Sequence, residues 1–384
     1  MISKQTLIHE SFPAHIPLSA DSRDILVYIN QPLSARKPIG YQRDFLDSYQ
    51  PNRSAYLPES LRRQLHKMGN TGVSTRPAGT YGRAILNRLL IDLSWASSHL
   101  EGNTYSRLDT RALIEQGTVA AGKAITETQM ILNHKAAIEL LIDNISTAGF
   151  NRYTVMNLHS ALSENLLANP ADEGRLRQHV VEISHSTFRP LDVPPQIAIQ
   201  FDQVLDKANQ ITDPFEQAFF VMVHLPYLQP FADVNKRTSR LAANLSLLQH
   251  NLCPLTFLDV PEAAYSQAVL GVYEMTRVEL LRDVFVWAYE RSTQEYIALK
   301  QNLTEPDPLR LRYRELIKRV IREVVLAPNT DPLDMIRQAV QTVDVAERQE
   351  VQALLIEELR RLHEGVLARY GLRPSEWERW SSAR

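Results

Sequence analysis

The sequence predicts a mainly α fold. Three observations carry that reading. Apolar residues recur at three- and four-residue spacing over most of the chain beyond Tyr81. Only one stretch, Val180-Val181-Glu182-Ile183-Ser184-His185, reads as extended or alternating. The turn-rich, proline-punctuated tracts fall at the start and between the periodic segments rather than within a regular strand pattern.

Composition bounds the rest. The 384 residues are enough for two or three compact units, 44% hydrophobic residues can fill a sizeable core, and 22% charged residues is ordinary for a soluble globular protein. The net charge of −2 offers no electrostatic case for nucleic acid or an anionic membrane as partner. A single cysteine, Cys253, excludes an intramolecular disulfide and agrees with a reducing compartment. Met1 to Leu18 is unlike a secretory signal, and no run approaches the ~20 apolar residues of a membrane span. The expectation is a soluble, cytoplasmic protein.

In chain order, residues 1–79 read as an irregular segment and linker. Seven prolines from Pro13 to Pro77 punctuate it, one short helix falls at Glu59 to Met68, and a glycine-rich tract runs from Gly69 to Gly79. From Tyr81 a strong helix begins, with Ile85, Leu86, Leu89, Leu90, Leu93, Ala96 and Leu100 on one stripe and Gly102 as its stop. Glu101, at the disfavoured C-terminal end of that helix, calls for a cationic partner, and Arg240 is the candidate. Helices follow over Ser106–Gln116, Thr126–Ala148 and Thr154–Leu167. His134 and His159 lie within two of them and read as packing or surface histidines. After the turn-rich stretch Pro170–Pro195 come helices over Ile197–Ile211, Phe215–Leu225, Leu241–Asn251, Val260–Leu281 and Val284–Leu299. Residues 301–384 read as a separate helical region, with helices over Leu309–Leu326, Pro332–Val343 and Ala346–Arg369. From residue 306 on, 14 Lys/Arg stand against 13 Asp/Glu, so it presents no basic face. Homodimerisation, target docking, or simply packing on the core are the roles open to it.

The stretch around which the chain is organised is Gln229-Pro230-Phe231-Ala232-Asp233-Val234-Asn235-Lys236-Arg237-Thr238-Ser239-Arg240. Pro226 and Pro230 are expected to end the preceding helix, and Asp233 or Asn235 to cap the next. Arg237 and Arg240 stand three apart and share a face of its first turn. Cations there oppose the helix dipole unless something anionic binds, and free N–H groups, an amide and two guanidiniums make a phosphate site.

These residues resemble the signature of the Fic (Fido) family, HPFx(D/E)GNGRxxR. Pro230, Phe231, Asp233, Asn235, Arg237 and Arg240 match, while Gln229 stands for the catalytic histidine, Val234 for the first glycine and Lys236 for the second. A second stretch, Ser97-Ser98-His99-Leu100-Glu101-Gly102-Asn103, resembles the family's inhibitory (S/T)xxxE(G/N) helix, placed near 81–101. The resemblance implies a Fic-type helical core over 80–300 with a short β-hairpin flap near 180–190, between Gly174-Arg175-Leu176-Arg177 and Pro194-Pro195. The flap would present a target protein. The resemblance further implies ATP with Mg²⁺ as cofactors and AMP transfer to a protein hydroxyl as the reaction. Asp233 would hold the metal, Asn235, Lys236, Arg237 and Arg240 the nucleotide, and Ser97 and Glu101 the inhibited state.

The departures bear on that chemistry. Gln229 cannot act as a base near neutral pH, and losing a general base typically costs ~10²–10⁴ in rate. A β-branched residue at 234 rarely adopts positive φ, so a reshaped loop is expected. Three readings follow: an impaired Fic protein that still binds nucleotide; an enzyme of altered activity, such as weak AMP transfer or AMP removal; and a Fic-shaped interaction protein that binds none. His179, His185 and His224 are the candidates for a substitute base.

Overall fold

Apolar faces at helical spacing have to be buried against one another, and the molecule does this with two compact units, residues 1–300 and 301–384. The computed structural model describes residues 12–300, 308–345 and 347–382. In the first unit the helices are α1 (Ala20–Ile29), α2 (Arg43–Asp47), α3 (Glu59–Gly69), α4 (Thr80–Ala84), α5 (Leu86–His99), α6 (Arg107–Gln116), α7 (Ile125–Asp143), α8 (Arg152–Ser163), α9 (Pro194–Gln210), α10 (Pro214–Leu228), α11 (Asn235–Gln249), α12 (Glu262–Met275) and α13 (Glu279–Lys300).

At the centre lie α10 and α11, which pack on each other more extensively than any other pair. Both are buried almost all round: every residue of α10 except Gln217 is buried, as are thirteen of the fifteen in α11, polar ones included. A helix of that kind belongs inside a helical shell. Here the shell is α5 and α8 against α11, α9 and α3 against α10, and α12 with α13. Because α10 and α11 are joined only by residues 229–234, whatever that short loop carries is held by the rigid core.

Several expectations need correction. Of the segment expected to be irregular, residues 1–11 lie outside the described residues, and residues 12–79 are not irregular around one helix. Ser19 caps α1, whose Ser22, Ile25, Leu26 and Ile29 follow i, i+3, i+4, i+7 spacing and pack on α12 and α13. The glycine-rich tract is not a loose linker. Cys253 N–H donates to the Gly69 carbonyl, and Gly79 N–H, at φ +75°, donates to the Leu248 carbonyl. The helix expected from Tyr81 is broken at Ile85. Pro226 does not end α10, which runs on to Leu228 and stops where Gln229 turns left-handed. The break expected near Leu281 falls instead at Thr276, at φ +50°. No β-hairpin forms near 180–190. The extended backbone there is β2 (Phe188–Arg189), paired in parallel with β1 (Ile39–Gly40). The other end of the loop is closed by the buried Arg177 side chain, whose Nη1 donates to the His179 carbonyl at 2.9 Å and whose Nη2 donates to that of Leu191.

The second unit is wholly helical among the described residues: α14 (Pro308–Arg312), α15 (Arg314–Leu326), α16 (Pro332–Ala339), α17 (Arg348–Arg360), a 3₁₀ stretch from Glu364 to Tyr370, and α18 (Pro374–Ser382). The single helix expected over Ala346–Arg369 is therefore two elements, and α18 was not foreseen. Its core gathers Val320, Ile321, Val324, Ile336, Val351 and Leu355 around α15. Among the described residues no helix is long and apolar enough to cross a membrane.

Candidate active site

The loop from α10 to α11 is built from the backbone outward. Gln229 (φ +50°) and Val234 (φ +64°) both sit in the left-handed region, which costs a β-branched residue dearly. The expected reshaping is thus absent: Val234 takes the conformation that a glycine would take without strain. Such a conformation persists only where the surroundings over-determine it. The Val234 side chain is buried, its carbonyl accepts from both the N–H and the Oγ1 of Thr238 at 2.9 Å, and its N–H donates to Asp233 Oδ1 at 2.6 Å. Neither Asp233 nor Asn235 caps α11 through its side chain, because Val234 is the N-cap.

Asn235 is spent within the loop. Its Oδ1 accepts from Phe231 N–H, and its Nδ2 donates to the Phe231 carbonyl and to Gln229 Oε1, all at 2.9 Å. This buried amide positions the loop, and what it leaves for an anion is the backbone N–H groups of the first turn of α11. Gln229 is equally committed: its Nε2 donates to the Pro226 carbonyl at 2.7 Å and to Tyr273 Oη at 2.9 Å. Its own carbonyl accepts from Arg177 Nε at 2.6 Å. A side chain anchored at both amide atoms presents no basic site.

Two histidines that read as packing residues hold the site together. His159 stacks on Phe231 with ring centroids 3.9 Å apart. Its Nδ1 accepts from Gly174 N–H at 3.0 Å and its Nε2 donates to the Asp233 carbonyl at 3.2 Å, so the tautomer is set by the fold. Burial lowers its pKa to about 4. His134 Nδ1 donates to the Met130 carbonyl at 2.9 Å, leaving Nε2 to accept from Ser97 Oγ at 3.0 Å. Ser97 Oγ then accepts from Arg240 Nε at 3.0 Å. Burial, with Arg237 second, lowers His134 to about 3, in keeping with the neutral acceptor this chain requires. No local sequence signal separates these two from ordinary core histidines, since their partners lie 37 and 74 residues away. Arg177 was visible in its Gly-x-x-Arg context, but its role as a three-carbonyl clamp was not.

The charged centre lies at the N-terminus of α11. Glu101 Oε1 accepts from Arg240 Nη2 at 2.8 Å, and Oε2 meets Lys236 Nζ at 2.9 Å. Arg240 is fully buried, its guanidinium also donating to the Ser97 carbonyl at 2.9 Å and lying 4.9 Å from the Tyr265 ring centre. Burial alone would raise the Glu101 carboxyl, but Lys236, Arg240 and Arg237 outweigh it and hold the group far below the usual carboxylate range. The pair joins two elements 139 residues apart, as expected of Glu101 and Arg240. Lys236 is a second arm on the same carboxylate. Arg237 is buried with Nη1 unpartnered among the described residues, as is Arg240 Nη1.

Around this centre opens a cleft of about 240 Å³ lined by Glu101, Glu182 to His185, Gln229, Asp233, Lys236, Glu262 and Tyr273 among others. Of the three candidate substitute bases only His185 lines it. His224 is buried against Tyr49, Tyr56 and Phe220, with Nε2 2.7 Å from Tyr56 Oη, and burial lowers it to about 3. The residues present fit a phosphate chain: helix N–H groups, two guanidiniums with idle buried nitrogens, and an exposed Asp233 carboxylate of the kind that shares Mg²⁺ with phosphate oxygens.

Comparisons with known proteins converge on one domain family. The profile of the Fic/DOC family matches residues 149–247, which hold the clamp, the flap region, α10, the loop and most of α11. The chain carries a Fic domain. The protein adenylyltransferases fic-1 of Caenorhabditis elegans and Caenorhabditis briggsae are each 29% identical over 202 residues, 52% of this chain and 39% of theirs. Protein adenylyltransferase Fic of Nematostella vectensis is 29% identical over 162 residues, 41% of this chain and 38% of its own. The matched region thus spans about two fifths of the length of these relatives. Among solved structures, Fic-1 from C. elegans superposes with a TM-score of 0.50 at 24% identity, covering 62% of this chain and 70% of that one. A Fic family protein from Desulfovibrio desulfuricans G20 gives 0.52 at 18%, covering 67% and 79%. This chain shares the mainly α Fic fold of these two structures.

Proposed function

We propose that this Fic protein binds ATP with Mg²⁺ in the cleft at the N-terminus of α11, rests in a closed state, and is impaired as a protein adenylyltransferase. The observation that carries this reading is Glu101 bridging Lys236 and Arg240, because those two cations are what a terminal phosphate would need. Arg240 would take that phosphate, Arg237 and the helix N–H groups would hold the inner ones, and Asp233 the metal. Bound ATP would supply the AMP group, with Mg²⁺ offsetting the charge of its phosphates. The chain's own contribution to proton transfer is missing. Gln229 stands where a base would act, and its amide, tied to Tyr273, Pro226 and Asn235, has no proton-accepting nitrogen.

Calorimetric titration of ATP–Mg²⁺ into the wild-type protein and Glu101→Gln tests the first half. Binding that tightens in the variant supports the closed-state reading, and no binding to either overturns it. In that event the second reading, a Fic-shaped interaction protein whose pocket is filled by its own ion pairs, gains from the same Lys236 contact. Incorporation of labelled AMP into protein tests the second half, and robust labelling by the unmodified chain overturns impairment.

A further inference from the structure

The Fic profile covers residues 149–247, yet one wall of the cleft is held by residues on either side of that span. The wall is the stretch Glu182 to His185, which is neither helix nor strand and carries His185 at φ +62°. It runs on into β2, whose two-residue ladder with β1 is too short to fix it. What fixes it is an ion pair with both side chains almost wholly buried: Arg36 Nη1 donates to Glu274 Oε1 at 2.8 Å. The same oxygen accepts from Ser186 Oγ at 2.8 Å and from Thr187 N–H at 3.1 Å, while Arg36 Nη2 donates to the His185 carbonyl at 2.9 Å. Three consecutive residues at the end of the wall thus hang on one charged pair. Arg36 comes from the segment between α1 and β1, and Glu274 from the last turn of α12. The floor of the cleft is tied to the same place. Glu274 follows Tyr273, whose hydroxyl accepts from Gln229 Nε2 at 2.9 Å and whose ring stacks on Phe188 with centroids 5.4 Å apart.

The pair is poorly built for stability alone. Arg36 Nε and Glu274 Oε2 are both buried without a hydrogen-bond partner among the described residues. A buried ion pair left partly satisfied is seldom worth more than apolar side chains of the same volume, and what it does supply is one defined geometry. Here that geometry is the placement of the cleft wall against the cleft floor. We infer that Arg36 and Glu274 are positioning residues of the nucleotide cleft. Together they hold the wall at 182–187 and the Tyr273 hydroxyl in register, so the N-terminal segment governs how firmly the wall closes on a nucleotide. The inference rests on the reading that the cleft binds ATP, but the first arm of its test involves no nucleotide.

That arm is amide hydrogen exchange on the full chain. In Arg36→Ala the Thr187 and Phe188 amides should exchange at least tenfold faster than in wild type, with the amides of α10 unchanged. Glu274→Gln keeps the size and an acceptor oxygen, so it answers where the bare carboxylate left by Arg36→Ala disturbs folding; it should speed the same amides at least threefold. The second arm follows release of an ATP analogue with a fluorophore on its ribose from Glu101→Gln, alone and combined with each change. Either change should speed release at least threefold. A pair with a purely structural role would lower the urea midpoint and leave local exchange and release as they were. Thr187 and Phe188 exchange that stays at the wild-type rate, or that rises only together with α10, overturns the inference, and so does unaltered release. Absence of nucleotide binding in every protein defeats the ATP reading instead, and the exchange arm still decides whether the pair holds the wall.

Discussion

Replacing Glu101 by glutamine removes one charge from a carboxylate shared by two cations and keeps its size. The Arg240 arm is buried and hydrogen-bonded, a class of contact worth ~1.5–3 kcal/mol net. On the Lys236 arm the lysine side chain is 33% exposed, and it contributes ~0.2–1 kcal/mol. Together the latch holds the closed state by about 2–4 kcal/mol. ATP has to displace it, so apparent affinity should rise by roughly 30- to 1000-fold in Glu101→Gln. The pH dependence is also set. Glu101 is depressed in the closed state, so the latch is fully present above the ordinary carboxylate pKa of ~4.3 and is lost only as pH falls below that value toward the depressed one. The ratio of the two proteins' ATP affinities should therefore be flat from pH 6 to 8, with protonation of ATP itself cancelling. Calorimetry at three pH values measures it. Affinities within threefold of each other, or a ratio that drifts across that window, refute the latch.

Four further outcomes follow from the same contacts. Arg240→Ala should abolish ATP binding in the Glu101→Gln background with helical content unchanged by circular dichroism; retained binding places the anion site elsewhere. Ser97→Ala leaves His134 Nε2 without its donor and Arg240 Nε without its acceptor, and should cost ~1–3 kcal/mol in urea denaturation while raising ATP affinity less than Glu101→Gln does. Val234→Gly relieves ~1–2 kcal/mol of left-handed strain and forfeits a similar burial term, so its stability should fall within ~1 kcal/mol of wild type. Val234→Ala keeps positive φ, loses the methyls, and should be the less stable of the two. Gln229→His alone should leave labelled-AMP transfer well short of Gln229→His combined with Glu101→Gly. Equal rates would mean that the base was the sole defect.

Much of this molecule was legible in its residues. A helix of apolar residues repeating every three or four positions forms wherever a core accepts it, so α5, α10 and α11 could be read directly. Even α1, whose Ile25, Leu26 and Ile29 keep that spacing, was hidden only by the surrounding prolines. The pairing of Glu101 with Arg240 was also readable, because a carboxylate at a helix C-terminus and cations at a helix N-terminus each lack a partner of opposite sign. Other features depend on chain segments far apart in sequence. Val234 keeps positive φ because bonds from Thr238 and a buried side chain outweigh its local preference. His134 and His159 become positioning residues only through Ser97 and the Asp233 carbonyl. The stretch 180–190 forms no hairpin, since Arg177 gathers its ends and a strand from residues 39–40 takes its edge. Local periodicity and charge are properties of neighbours along the chain, and the sequence by itself determined the helices and the charged centre. Which backbone edge, carbonyl or hydroxyl meets which partner depends on how the whole core closes, and only the tertiary structure decided that.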